Sequence, residues 1–213
     1  MRIIRKMVRQ LEEFRSEMDE DELRQFTSDY FIPLAMHPEV PDSDACVADF
    51  PEGKIGVYTC FFVFANQRVP ISLFLSNVLN FYRLHISQLH CIGAAKITNF
   101  EVNHRLLAIN PTINLFRAFY HTIWSHGWVS FAKRAGRLQC YIDKVDSLRD
   151  WREKFFWVDD VVFPSRLSSI LKGRCQGMSA LYPVRIVQRM RTLLMRTAFP
   201  LTPILRSFWF MWG

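Results

Sequence analysis

Apolar positions along the chain recur mostly at helical spacing, broken by proline-rich and strand-like stretches. Ile4, Met7, Val8, Leu11 and Phe14 mark an amphipathic helix over residues 3–17. Asp19 followed by Glu22 forms a capping pair for a second short helix carrying Leu23 and Phe26. Prolines at 33, 38, 41 and 51 predict an extended connection, because proline lacks a donor and biases its predecessor away from helix. Over 54–65, Ile55, Tyr58 and Phe62 fit a helical face, while Cys60–Phe64 reads equally as a buried strand; the helix is preferred. Pro70 opens a helix to Arg83 through Phe74, Val78 and Phe81, and Ser87 caps the next, with Ala94, Ile97, Phe100 and His104. Asn110-Pro111 starts a further helix through Ile113, Phe116, Tyr120 and Ile123, ending near Gly127.

Beyond that glycine the period shifts. Trp128–Phe131, a turn-bounded segment around Tyr141, and Phe155–Val158 read as short strands, with Ser147 capping a turn through Trp151. The expected class is α+β, mainly α-helical, with a helical core and a small antiparallel sheet near residues 128–158. Past Pro164 a helix is expected from Pro183 to Arg196, then a loose apolar end. The organisation expected is an N-terminal helical arm over 1–28, a domain over 29–160, and a basic, apolar tail over 161–213.

Composition supports a packed core: half of the 213 residues are hydrophobic, and 19 are Phe. The net charge of +7 needs locating before it means anything. Residues 1–160 hold 19 basic against 20 acidic side chains, a net of −1, and all the excess lies in eight basic residues after Asp160. A uniformly basic domain surface is therefore not expected. Five cysteines, odd in number and without a CxxC pair, read as separate buried thiols in a reducing compartment. No secretory signal opens the chain, and the C-terminal apolar stretch, broken by Arg206 and two prolines, falls short of a membrane span. An intracellular setting is expected.

Catalytic chemistry is hard to find. Trp157-Val-Asp159-Asp160 resembles the paired-carboxylate hairpin of reverse transcriptases, which holds divalent metals. Such a palm also needs a third carboxylate on an earlier strand, so an acidic turn ending a buried strand is the preferred reading. Between Glu52 and Asp143 the only acid is Glu101, which leaves an Asp-Asp-Glu metal triad unmarked. The histidines at 37, 85, 90, 104, 121 and 126 make no zinc quartet, and no cofactor or metal is expected. Nucleophile elbows, phosphate loops and dinucleotide fingerprints are absent from the sequence. A helix-turn-helix at Asn110-Pro111 would present Asn114, Arg117 and His121, but the aromatic face of that helix reads as core.

The order of short blocks carries more information than any single motif. They run Ile55-Gly-Val-Tyr58, Val69-Pro-Ile-Ser72 with Phe74, Val78-Leu-Asn-Phe81 and His85-Ile-Ser-Gln-Leu89. They continue through Phe100-Glu-Val102, Ile109-Asn-Pro-Thr112, Leu115-Phe-Arg117, Trp128–Arg134 and Trp151–Asp159. In that order and spacing the chain, over about residues 29–160, resembles the gypsy-type transposase domain of plant transposable-element proteins. The resemblance implies a retroelement origin and a nuclear or cytoplasmic setting, and it carries no catalytic residues over to this chain. The tail departs from the family's polar continuation and reads as a truncated or misread end. Two functions follow as expectations. One is a non-catalytic, Gag-like or accessory protein that self-associates in assembly or scaffolding. The other is a DNA-binding module of a transposase, contacting DNA or RNA through Arg117, Lys133, Arg134, Arg137 and the basic tail. A third, enzymatic reading would rest on Asp159 and Asp160.

Overall fold

The computed structural model describes residues 11, 13–125, 127–136, 148 and 150–162, all within one compact unit. The fold is α+β. Five helices, α1 (Glu20–Asp29), α2 (Cys60–Val63), α3 (Leu73–Tyr82), α4 (Cys91–Leu106) and α5 (Ile113–Phe119), pack with four strands. Strands β1 (Lys54–Tyr58) and β4 (Phe155–Asp159) pair antiparallel, with Lys54 opposite Asp159 and Gly56 opposite Trp157. Strands β2 (Tyr120–Ser125) and β3 (Trp128–Lys133) form a separate antiparallel hairpin, with Tyr120 opposite Lys133.

The single sheet expected over 128–158 is thus two, and its strands at Trp128 and Phe155 belong to different ones. The reason is a pairing between segments a hundred residues apart. β4 finds its partner in 54–58, the segment read from its own periodicity as helix. Ile55, Gly56, Val57 and Tyr58 are all buried, as are Phe155 to Val158, so both faces of this ribbon are covered. A strand buried on both faces loses the alternation that identifies it. Helix begins only at Cys60, where the Thr59 N–H donates to the Lys154 carbonyl at 3.0 Å.

Helix starts differ from expectation by a few residues each. Asp19 caps α1 as predicted, accepting from the Glu22 N–H at 2.8 Å. α3 starts at Leu73 rather than at Pro70, with Ser72 as its cap, accepting from Leu75 at 3.0 Å. His90 takes the place expected of Ser87 at the start of α4, because Leu89 is drawn into a bridge with Val129 and Ser87 into a turn with His85. Thr112, not Asn110, caps α5. That helix ends at Phe119, well before Gly127, since Tyr120 to Ser125 pair with β3 around a glycine of φ 90°. Thr122 and Ile123 are β-branched and suit the strand. The segment around Tyr141, Ser147 and the helix expected over 183–196 lie outside the described residues, as does most of the helix expected over 3–17.

Aromatic rings join these parts. Trp128 donates its indole N–H to the Tyr58 hydroxyl at 3.2 Å, and Trp151 lies edge-on to both rings, linking the two sheets. Phe74, Phe100, Phe116 and Phe131 form the centre under α3, α4 and α5. The stretch expected as an arm is bound to the same body. Phe26 packs on Phe62 and Phe156, and the Ser16 hydroxyl donates to the Phe155 carbonyl at 2.6 Å.

Two cysteines depart from the separate-thiol reading. Cys60 on α2 and Cys91 at the start of α4 are joined as a disulfide, with Cα atoms 6.0 Å apart, because α2 packs on the beginning of α4. Cys46 remains a free buried thiol, pushed up to about 11 by burial and then by Asp49. Cys140 and Cys175 lie outside the described residues. Among the described residues, no helix is long and apolar enough to cross a membrane.

His85 is enclosed, with Phe50 stacked on it at 5.1 Å and its Nδ1 2.7 Å from the Ser87 hydroxyl. Burial pushes its pKa down to about 4. In the unfolded chain a histidine takes its proton near pH 6.5, so between those values the unfolded state binds more protons. Stability should therefore fall as pH drops from about 6.5 to about 4, by roughly 2–3 kcal/mol from this group. Urea unfolding at pH 7, 5.5 and 4.5 measures it. A His85→Asn variant, which keeps a side-chain acceptor for the turn, should show a shallower slope over that window.

Candidate nucleic-acid interface

Three of the four basic residues singled out in the sequence are brought together where α5 meets the end of β3. Arg117 sits in the last turn of α5, whose orientation is set by Phe116 inserted into the core. Its carbonyl accepts from the Arg134 Nε at 2.6 Å, and the Arg134 backbone N–H donates to the Phe119 carbonyl at 2.8 Å. Lys133, exposed, ends β3 beside it. The Arg117 guanidinium lies 4.9 Å from the centre of the Phe81 ring. Both guanidiniums also act on buried Tyr82, whose hydroxyl burial pushes up to about 12 while their charges pull it down. The ion pairs among the described residues include none of Arg117, Lys133 and Arg134. Arg137 lies outside the described residues.

The surroundings add residues that periodicity did not flag. Arg83 is exposed at the left-handed C-cap of α3, two positions after Phe81. Lys96 on α4 donates to the Phe131 carbonyl at 2.6 Å, and burial lowers its pKa. Their signal was present in the charge sequence: described residues 59–136 carry seven basic side chains and one acid, a net of +6. Described residues 13–58 and 150–162 carry sixteen acids and five bases, a net of −11. The first set builds α2 to α5 and the β2–β3 hairpin; the second builds α1, the loop over 30–53 and the β1–β4 ribbon. The described residues therefore carry their net positive and net negative charge on different sets of elements. Glu101, the single acid of the positive part, is itself paired with Arg105 at 2.8 Å and accepts from Ser72 at 2.5 Å.

The carboxylates at the end of β4 are arranged for structure. Asp159 receives His37 Nδ1 at 2.6 Å and lies 3.5 Å from Lys54 Nζ, which also pairs with Glu39 at 2.7 Å. The His37 hydrogen bond is the main cause of the lowered Asp159 pKa. Asp160 begins a short turn over Asp160–Val162, its N–H on the Gly53 carbonyl at 2.8 Å. β4 pairs with β1, so the two-strand hairpin that would present Asp159 and Asp160 to metal ions does not form here. Among the described residues no group of three His, Cys, Asp or Glu side chains is placed to hold a metal ion. His85, His90 and His104 are packed among aromatic rings, their pKa values lowered first by burial. The helix-turn-helix idea fares no better: α5 is seven residues long, and Phe116 commits one of its faces to the core.

The chain matches no family model, no curated protein and no solved structure.

Proposed function

We propose that this is a non-catalytic protein of the transposable-element kind its block order resembles, and that it acts by binding nucleic-acid phosphate at its basic cluster. The observation that carries this is the convergence of Arg117, Lys133 and Arg134 without a carboxylate partner among the described residues. Cations left unpaired at a surface neutralise phosphate and release its counterions, which makes binding steeply salt-dependent. Net charges of +6 on one set of elements and −11 on another favour a second reading, assembly of copies through opposite charge, which is the scaffolding role.

One salt titration tests both. Full-length chain with Lys133→Glu and Arg134→Glu should bind a labelled 20-mer about tenfold or more weakly at low salt, with a shallower dependence on salt. Asp159→Asn, at the end of β4 and paired with His37 and Lys54, should leave binding unchanged. Equal retention of the charge-reversed and parent chains on nucleic acid would sink the phosphate reading. Light scattering on the same samples reports assembly, which the charge reversal should weaken as salt does.

A further inference from the structure

We propose that the basic cluster takes single-stranded nucleic acid, with the Phe81 ring as the platform on which a base stacks. The inference rests on the phosphate reading above and names the ligand class. Phe81 is 46% exposed although it belongs to the central helix α3, whose neighbours Val78, Leu79 and Tyr82 are buried. Arg117 lies over one face of the ring, 4.9 Å from its centre, and Tyr82 meets the ring at 5.0 Å and near a right angle; a ring backed by a guanidinium on one face is suited to hold a base on the other and its phosphate beside it. Exposed Arg83 follows two residues further along the chain, and Arg134 is tied to the Arg117 carbonyl.

Geometry disfavours the duplex. In a duplex both faces of each base are already stacked, so Phe81 has nothing to bind. Reading the major groove needs a helix or ribbon that enters it. α5 is the helix that carries Arg117, and it is short and pinned by Phe116.

The test uses full-length protein, fluorescence anisotropy, labelled dT20 and U20, and a dA20–dT20 duplex at one salt concentration. Parent protein should bind a single strand more tightly than the duplex, and the stronger of dT20 and U20 names the preferred sugar. Phe81→Ala should weaken single-strand binding at least tenfold and change duplex binding less than about threefold. Phe81→Trp should restore it. Circular dichroism reports whether each variant is folded, and Arg117→Lys offers a second probe: it keeps the charge, loses the planar guanidinium, and should weaken single-strand binding selectively. If Phe81→Ala binds dT20 and U20 like the parent while Lys133→Glu with Arg134→Glu still weakens them, the stacking platform is wrong and the phosphate reading survives. Tighter binding to the duplex overturns the single-strand class. No binding to any of the three removes both.

Discussion

Gly56→Ala should cost about 3 kcal/mol or more, enough to leave the domain largely unfolded if its stability is ordinary. A Cβ at this position would lie 2.1 Å from the Val47 carbonyl oxygen and 2.7 Å from Val47 Cγ2. The first of these is backbone, so no rotamer change relieves it. Gly56 sits mid-strand in β1 opposite Trp157, between buried Ile55 and Val57, which leaves the strand no room to shift. Gly53 makes the control. A Cβ there meets nothing within 4 Å, and only its φ of +83° opposes substitution. Gly53→Ala should therefore lose about 1–2 kcal/mol. Guanidinium unfolding followed by circular dichroism separates the two. Equal losses would mean that the 45–48 loop does not press on β1 as described.

The second large effect is expected at the aromatic centre. Phe100 is fully buried, stacked on Phe74 at 5.5 Å, edge-on to Phe116 at 5.2 Å and against His104 at 3.9 Å. Phe100→Ala removes a ring from a site whose neighbours are themselves rigid rings, so the cavity collapses poorly. A loss of about 3–5 kcal/mol follows. Val102→Ala, two residues away and 44% exposed, should stay within about 0.5 kcal/mol. A loss below 1 kcal/mol at Phe100 would contradict its central place.

These effects bear on the proposed function because the same core orients Arg117. Phe116 contacts both Phe100 and Phe131, and it is the residue before Arg117. Damage at Phe100 should weaken nucleic-acid binding along with folding, whereas Phe81, at the surface, should affect binding alone. That contrast separates a residue that builds the face from one that is the face.

Much was legible in the residues themselves. The cap at Asp19, the apolar face of α4, that of α3 except for exposed Phe81, the strands at Trp128 and Phe155, and the α+β class all follow from local spacing. Local signals suffice there because a cap or an amphipathic face involves neighbours within a few residues. The charge sequence likewise contains both the basic and the acidic segments, which a single sum over 1–160 hides. What only the tertiary structure decided is pairing at a distance. Lys54–Tyr58 is a strand because Phe155–Asp159 lies beside it, and its own sequence, buried on both faces, shows no alternation. Tyr120–Ser125 leaves its helix because β3 offers a ladder. Cys60 meets Cys91 because α2 packs on α4. Asp159 is a structural acid because His37 and Lys54 reach it, and Arg117 meets Arg134 because α5 runs into the hairpin that brings β3 back. Each of these depends on contacts between residues far apart in the chain, which no window of local periodicity contains.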